Sequence, residues 1–187
     1  VKDFCAVNRI QGESAFEFRG KDVVPTERTW DRTEVERLVE TYSDLILRLS
    51  YSYLKSTEDA KDICQTVFLK LLEKPRTFAS PEHERAWIIR TAANICKDVL
   101  KSHWRRTTVD MDAAGDVPAP QAEEGSLLAA VGLLPPKYRA VIYLYYYEGY
   151  AAKEIAQMLG ENPATVSTRL NRGRAKLKTM LESEGMA

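Results

Sequence analysis

Two stretches of the chain concentrate basic side chains of the kind that hold a polyanion. The range Lys97–Arg106 has four basic residues and one acid, and the range Pro163–Lys178 has five basic residues and no acid. The whole chain carries 27 Lys+Arg against 27 Asp+Glu, so this basic charge is local. Two basic helical faces on a neutral chain predict a nucleic acid held at two places, with two solvated helix faces as the alternative.

The second basic stretch lies in a segment, residues 152–171, with the spacing of a helix-turn-helix. Ala156 is small where two helices approach closely, Gly160 suits a turn with positive φ, and Val166 fills the angle between the helices. Asn162 and Pro163 suit the cap and first position of the second helix. That helix would offer polar and cationic groups to a major groove, namely Thr165, Ser167, Thr168, Arg169, Asn171 and Arg172. Two packed helices of an ordinary bundle are the alternative.

The elements that position these groups are predicted to be helices throughout. Apolar residues at helical spacing, with capping residues before and proline or glycine after, predict helices over 35–53, 57–74, 81–104, 126–134, 137–148, 151–159 and 163–181. Between them, residues 107–125 carry five acids and no basic residue, a composition typical of a linker. The predicted fold is all-α, with two small helical domains joined by a flexible acidic linker. The C-terminal domain is the helix-turn-helix.

Several functional classes find no support in the residues. Three widely spaced cysteines, without a CxxC pair, favour buried thiols in a reducing compartment. No catalytic motif, zinc pattern or phosphate-cradling glycine loop occurs, so we expect neither an enzyme nor a cofactor or metal. No apolar run approaches the roughly 18 residues of a membrane span, and the first residues lack a signal pattern. We therefore expect a cytoplasmic protein without membrane insertion.

Beyond these features, the chain resembles an RNA polymerase sigma factor of the extracytoplasmic-function group, the type with only the second and fourth conserved domains. The segments of this chain that resemble the family's fourth domain are 134–139, 147–150, 154–156 and 165–174. The residues that resemble the family's second domain are 59–71, 87–94, and Asp98 with Arg105 and Arg106. The resemblance implies an unassigned extension over 1–33, a region 2-like domain over 34–106, the acidic linker over 107–125 and a region 4-like domain over 126–187.

For the region 2-like domain, the resemblance implies two tasks. The helix that contains Asp62 would dock on core RNA polymerase through the face formed by Lys61, Asp62, Gln65, Thr66 and Leu72. The family often has acids where Lys61 and Thr66 stand, which would weaken docking on a basic clamp. The second task is binding and melting the -10 element, for which the implied residues are Phe78, Arg90, Asn94, Lys97 and Lys101. The last four follow a spacing of i, i+4, i+7 and i+11, so one helical face can present them all.

For the region 4-like domain, the resemblance implies binding of the -35 element. The implied residues are Thr165, Ser167, Thr168, Arg169, Asn171, Arg172, Arg174 and Lys176. Ser167, Thr168, Asn171 and Arg172 match groove-facing positions, whereas Arg169, Arg174 and Lys176 match phosphate contacts. Ser167 stands where the family commonly has a basic residue, so the sequence preference is expected to differ.

Some assignments stay open at this level. The linker would thread the polymerase as a mimic of nucleic acid or serve as a passive tether. Trp87 fits a core position better than a base-stacking platform, and Trp104 fits either. A helix cannot bury all of Tyr143, Tyr145, Tyr146 and Tyr147 on one face, which suggests an interface, with an anti-sigma protein as a candidate partner. Rival functions are a helix-turn-helix regulator that binds duplex DNA without polymerase, and a helical interaction module.

Overall fold

The structure, a computed structural model, describes residues 30–74, 76–109 and 127–183, with side chains left out over 103–129. Every regular element in these ranges is helical. They are α1 (Arg32–Leu54), α2 (Thr57–Glu73), α3 (Pro81–Val109), α4 (Leu127–Leu133), α5 (Pro136–Ile142), a π-helix (Tyr143–Tyr147), α6 (Ala152–Leu159) and α7 (Pro163–Ser183). The all-α prediction is confirmed. None of these helices is long and apolar enough to cross a membrane. The linker and most of the N-terminal extension lie outside the described residues.

The capping residues predicted from the sequence start the helices where expected. The amide of Asp59 donates to Ser56 Oγ at 3.1 Å, and the amide of His83 donates to Ser80 Oγ at 3.2 Å. Each hydroxyl accepts from one of the four amides that a helix leaves without an internal partner. Helix α1 begins at Arg32, earlier than its apolar stripe suggests, because Asp31 accepts a hydrogen bond from the amide of Glu34.

The N-terminal group of helices, α1 to α3, packs together around fully buried side chains. Its largest buried members are Leu38, Ile46, Leu49, Val67, Leu71, Ile88 and Ile89. Trp30, within the stretch that the sequence left unassigned, packs on this core and donates from Nε1 to the carbonyl of Leu71 at 3.0 Å. The packed core therefore includes residues ahead of α1.

The C-terminal group, α4 to α7, is built around the helix-turn-helix and packs directly on the N-terminal group. Helix α5 contacts α1, and α6 contacts α3. Buried residues of both groups belong to one continuous apolar cluster, which joins Leu49 and Ile89 to Val141, Leu144 and Ile155. The sequence predicted the two helical groups but not their contact, because helical periodicity shows that a face is apolar without showing what covers it.

A departure from the predicted helix over 137–148 occurs at its second half. Helix α5 ends at Ile142, and the tyrosine run continues as a π-helix to Tyr147. A π-helix has hydrogen bonds between residues i and i+5, one residue further apart than in an α-helix. Different side chains therefore share a face. As a result Leu144 is fully buried whereas Tyr146 and Tyr147 are half exposed.

Candidate nucleic-acid interface

The helix-turn-helix of α6 and α7 has the predicted internal packing. Ile155, Ala156 and Val166 are fully buried between the two helices. Gly160 ends α6 with φ of +66°, a conformation that costs glycine little and strains residues with a side chain. Asn162 Oδ1 accepts from the amide of Ala164 at 2.8 Å, so α7 begins with the predicted cap. The second helix is thereby fixed at a definite angle to the first.

The outward face of α7 presents the polar groups that the sequence singled out. The exposed members are Thr165, Ser167, Thr168, Asn171, Arg172 and Lys176. Thr168 Oγ1 donates to the carbonyl of Ala164, which leaves its lone pairs and methyl group outward. A shallow cleft of about 350 Å³ runs along this face between α7 and Lys137 of α5. Polar groups and cations on an exposed recognition helix can contact base edges and phosphates together.

Two of the predicted phosphate contacts on α7 already have partners within the chain. Arg169 Nη1 lies 2.5 Å from a carboxylate oxygen of Glu161. Arg174 donates from Nε to the hydroxyl of Tyr146 at 2.7 Å, and its guanidinium also lies over the ring of Tyr145, 5.1 Å from the centroid. These two arginines are positioned by neighbours, whereas Arg172 and Lys176 project into solvent.

Two of the four predicted -10 residues on α3, Arg90 and Lys97, contact the helix-turn-helix. Arg90 donates from Nε to the carbonyl of Met158 at 2.9 Å and from Nη2 to the carbonyl of Gln157. Lys97 Nζ lies 3.0 Å from Glu161 Oε1. Arg90 and Lys97 thus both lie against the end of α6 and against Glu161 in the turn that follows it. Further along the face, Lys101 is exposed and pairs with Asp98 on its own helix, and Asn94 is also exposed.

One carboxylate joins the two sets of cations. Glu161 accepts from Lys97 on α3 through Oε1 and from Arg169 on α7 through Oε2. Burial acts to raise the pKa of Glu161, but the hydrogen bonds from Lys97 and Arg169 outweigh it and hold the pKa below its ordinary value. Next to this carboxylate, a cleft of about 440 Å³ opens between the two helical groups, with Lys97, Lys101, Lys137 and Arg169 among its lining residues.

The loop before α3 packs an aromatic cluster against the start of that helix. Phe78 contacts the ring of His83 edge-on at 5.7 Å between centroids and lies 6.0 Å from the ring of Trp87. The guanidinium of Arg76 stacks over Trp87 at 4.6 Å from its centroid. Trp87 is thus a half-buried part of the core with a cation on one face. Of the other residues considered for this site, the side chain of Trp104 lies outside the described part of the chain.

Helix α2 places the predicted polymerase-docking residues on its solvent side. Lys61, Asp62 and Gln65 are exposed, and Thr66 and Leu72 are half-buried. Lys61 pairs with Glu58 at 3.2 Å, so its charge is partly engaged. Leu69 lies among these residues at helical spacing and is 50% exposed, a large apolar side chain that the sequence reasoning missed. The signal was present in the sequence, because Leu69 follows Asp62 and Gln65 at i+7 and i+4.

A second residue that the sequence reasoning missed is Arg139, which is only 6% exposed. Its guanidinium donates to four backbone carbonyls. Two belong to Ser52 and Tyr53 in the last turn of α1, at 2.6 and 2.9 Å, and two belong to Gly132 in the last turn of α4 and Leu134 just after it, at 3.0 and 2.7 Å. The last carbonyls of a helix have no internal partner and carry partial negative charge. Arg139 thus caps one helix of each group, although burial lowers its pKa.

A third connection between the groups lies near the start of α3. Arg85 Nη2 is 2.5 Å from Glu148 Oε2, and the hydroxyl of Tyr143 donates to the other oxygen of Glu148 at 2.6 Å. On the adjacent surface, the guanidinium of Arg48 on α1 lies over Tyr147 at 5.1 Å. The tyrosine run is therefore shared between packing inside the C-terminal group and contact with α1.

A helix-turn-helix with an exposed cationic second helix, packed on a three-helix bundle that carries further cations, is an arrangement suited to binding nucleic acid. Two protein-family models match the chain. The family model described as "Sigma-70 region 2" matches residues 38–106, and the model described as "Sigma-70, region 4" matches residues 124–177.

Comparison with individual proteins agrees with the family models. The chain is 30% identical over 167 residues to the ECF RNA polymerase sigma factor SigE of Mycolicibacterium smegmatis, covering 82% of this chain and 62% of that protein. It is 29% identical over 143 residues to the RNA polymerase sigma factor SigV of Bacillus subtilis, covering 75% of this chain and 86% of that protein. The fold matches the sigma factor RpoE of Bartonella quintana, solved with the anti-sigma factor NepR, with a TM-score of 0.68, 18% identity and coverage of 80% and 98%.

The chain belongs to the sigma-70 family of RNA polymerase sigma factors, in the extracytoplasmic-function group. Promoter-specific initiation of transcription is the role of that family. The chain spans about three fifths of the length of its M. smegmatis relative.

Proposed function

We propose that this chain binds core RNA polymerase through α2 and contacts promoter DNA at two places, with α3 at the -10 element and α7 at the -35 element. The observation that carries the proposal is the exposed polar and cationic face of α7, fixed at a helix-turn-helix angle by the buried side chain of Val166. The role is one of binding and positioning, in the cytoplasm where polymerase works. No catalysis by this chain is needed, because the polymerase makes the RNA.

At the -35 element, we assign base reading to the groove-facing groups Ser167, Thr168, Asn171 and Arg172. An exposed arginine can pair with the O6 and N7 atoms of guanine, and asparagine with the N6 and N7 atoms of adenine. Thr165 and Lys176 lie at the two ends of the exposed face and suit phosphates. Arg169 and Arg174, held by Glu161 and Tyr146, suit phosphate contacts from a fixed position.

At the -10 element, we assign the phosphates of the opened strand to Arg90, Asn94, Lys97 and Lys101. Single-stranded DNA is held by a cationic track together with aromatic platforms on which bases stack. Phe78 packs beside this helix start with His83 and Trp87, close to where an extruded base would need an aromatic neighbour. Removing a base from the stack costs a few kcal/mol, so such contacts favour the melted state.

For polymerase docking, we assign the exposed face of α2 with Asp62, Gln65 and Leu69 at its centre and Lys61, Thr66 and Leu72 at its edges. An exposed leucine among polar groups offers apolar surface that a partner can bury. The B. quintana relative was solved with an anti-sigma factor. We propose that an anti-sigma protein is also a partner of this chain, with exposed Tyr146 and Tyr147 as candidate contacts.

One experiment tests the function as a whole. Purified protein is added to sigma-free core polymerase with genomic DNA of the encoding organism, and the 5′ ends of the transcripts are sequenced. We expect starts that share upstream elements and that depend on the added protein. Transcripts with scattered starts, together with duplex binding that needs no polymerase, would contradict the proposal and favour a conventional helix-turn-helix regulator.

A matched pair of variants tests the docking surface. Leu69→Ala should weaken capture of core polymerase by about tenfold, or roughly 1.4 kcal/mol, because alanine lacks most of the apolar surface that leucine would bury against the partner. Glu36→Ala on α1 removes an exposed residue that pairs only with Arg32 on its own helix among the contacts described, and serves as the control. Equal capture of both variants would remove Leu69 from the interface.

A further inference from the structure

Part of the tyrosine run of the π-helix lies beside α7, and the role inferred for it rests on the proposed function. The amide of Glu148 donates to the carbonyl of Tyr143 at 3.2 Å, so this turn is closed between residues i and i+5. Such a turn holds more residues than an α-helical turn, and consecutive side chains therefore diverge by a smaller angle. The π-helix thus directs two adjacent side chains, those of Tyr145 and Tyr146, toward the same part of α7.

Tyr145 and Tyr146 form an aromatic corner that holds the guanidinium of Arg174. The two rings meet edge to face, with centroids 5.0 Å apart and planes at 71°. The central carbon of the guanidinium lies 5.1 Å from the centroid of Tyr145 and 5.5 Å from that of Tyr146. Nε of Arg174 also donates to the hydroxyl of Tyr146 at 2.7 Å. Contacts with two rings and a hydroxyl restrict the rotamers of a long side chain that would otherwise move freely in water.

The same guanidinium contacts a groove-facing residue of α7. Arg174 Nη1 lies 3.3 Å from Oδ1 of Asn171, which precedes it by three residues on the helix. Because a guanidinium only donates hydrogen bonds, the amide of Asn171 turns its oxygen toward Arg174. Its NH2 group is then directed away, where it can donate to acceptors such as N7 and O6 of guanine or O4 of thymine. The orientation of a base-reading amide is therefore coupled to the position of Arg174.

We propose that Tyr145 and Tyr146 are positioning residues for the -35 contact: they fix Arg174, and Arg174 in turn orients the amide of Asn171. The hydrogen bonds at Nε and Nη1 use part of the donors of the guanidinium, and its other hydrogens can bind a DNA phosphate. Neither tyrosine has to touch DNA. Binding is favoured because the side chains that contact the duplex are already ordered, so less conformational entropy is lost on association.

The test removes a single hydroxyl from the full chain bound to core polymerase. Tyr146→Phe keeps the ring and deletes the acceptor of Arg174 Nε. The probes are short fluorescein-labelled duplexes: one contains the upstream element shared by the mapped transcript starts, and the others carry single base changes in that element. We expect Tyr146→Phe to weaken binding of the unchanged duplex about threefold, because Arg174 must then be immobilised on binding. It should also reduce the preference at the base pair whose preference Asn171→Ala abolishes.

A double-mutant cycle with Arg174→Ala separates positioning from direct contact. If Tyr146 acts through Arg174, Tyr146→Phe causes no further loss of affinity once residue 174 is alanine. An equal loss in both backgrounds would overturn the proposal, since Tyr146 would then contact DNA itself or support the fold in general. Unchanged affinity of Tyr146→Phe in the wild-type background would also overturn it, as would a loss that is the same on every duplex of the panel.

The matched control is Tyr51→Phe, which removes the same hydroxyl from a half-buried tyrosine. Tyr51 lies on α1 and has no contact with α7 among those described. This variant should bind every duplex of the panel like the wild type. If Tyr51→Phe lowers affinity as much as Tyr146→Phe does, the effect is not specific to the aromatic corner and the proposal is wrong.

Failure of the proposed function would give a different result from failure of the positioning role. If the wild type bound to polymerase shows no preference among the duplexes, the proposed -35 contact fails and the positioning role fails with it. If the wild type prefers the shared element and Arg172→Ala loses that preference, α7 reads DNA. Wild-type behaviour of Tyr146→Phe in that case would show that only the positioning role is wrong.

Discussion

The two cationic helices of this sigma factor have similar residue types but different surroundings. Along α7, the groove-facing groups Ser167, Thr168, Asn171 and Arg172 are all exposed. Along α3, Arg90 is half-buried under the turn after α6, and Lys97 is paired with Glu161. The α7 face is exposed, whereas part of the α3 face, at Arg90 and Lys97, lies against the last turn of α6 and Glu161.

This difference shows that a helical face can be basic in its sequence without being accessible to DNA. Helix α7 packs on α5 and α6 through Val166, Leu170 and Gly173, which leaves one side free. Helix α3 packs on α1 and α2 with one side and on α6 with another. Arg90 and Lys97 have partners there because α6 ends beside them with the carbonyls of Gln157 and Met158, followed by the carboxylate of Glu161. The contact between the two helical groups therefore decides which cations are accessible to DNA.

The largest expected effect comes from removing the link that holds the two groups together. Arg139→Met should lower the free energy of unfolding by about 3–5 kcal/mol, because four carbonyls lose their donor inside the protein. Urea denaturation followed by circular dichroism measures the change. Arg172→Met, at an exposed position of α7, should stay within about 0.5 kcal/mol of wild type. Similar stabilities for the two variants would mean that the groups are not joined through Arg139.

On the exposed face of α7, base readers and phosphate contacts should respond differently. Arg172→Ala should cost about 1–3 kcal/mol on a matched -35 duplex and relax the preference for it, whereas Lys176→Ala should weaken binding to all duplexes alike. Fluorescence anisotropy with polymerase-bound protein on matched and scrambled duplexes separates the two. Equal losses for Arg172→Ala on both duplexes would reject its assignment as a base reader.

On the α3 face, Lys97 should contribute to DNA binding in the initiation complex but not in the free protein, where it pairs with Glu161. Lys97→Ala should reduce the salt dependence of initiation-complex formation, with the slope of log affinity against log salt falling by about 1. The salt slope of the free protein on oligothymidine should not change, since Lys97 is already paired with Glu161 there. Filter binding over a salt series measures both slopes. A change of the same size in the free protein would show that Lys97 is accessible to DNA there.

The smallest expected effect is a dependence on pH of the stability that Glu161 contributes through its ion pairs with Lys97 and Arg169. Because the pKa of Glu161 is held below its ordinary value, its charge stabilises the folded chain fully above about pH 4.3, the ordinary pKa of glutamate. That contribution is lost as the pH falls through the lower folded pKa. The difference in unfolding free energy between wild type and Glu161→Gln should therefore be about 1 kcal/mol near pH 7 and shrink toward zero in acid. Urea titrations at a series of pH values give the difference, and a constant difference at all pH values contradicts the assignment.

Much of the fold follows from local sequence signals. The caps at Ser56, Ser80 and Asn162, and the glycine at 160, each satisfy a requirement of the nearest turn of backbone, so they can be read without knowing the rest of the chain. The buried core of the helix-turn-helix is readable for the same reason, since Ala156 and Val166 follow helical spacing. The exposure of Leu69 could also have been predicted, because the helical spacing that marks its neighbours Asp62 and Gln65 as exposed applies equally to Leu69.

Arg139 and Glu161 could not be found in this way, because their partners lie far away in the sequence. The carbonyl of Ser52 is 87 residues from Arg139, and Lys97 is 64 residues from Glu161. An isolated arginine or glutamate in a helical segment is most often solvated, and only the packing of α5 on α1 and of α6 on α3 gives these two their roles.

The sequence by itself determined the helices, the helix-turn-helix and the family, because each depends on spacing within one element or on motifs in a fixed order. The tertiary structure decided which cations are exposed, which helix ends are capped by Arg139 and which acid lies between the two DNA faces. These features arise where separate helices meet, and the energy of burying a charge there depends on partners that no local pattern specifies.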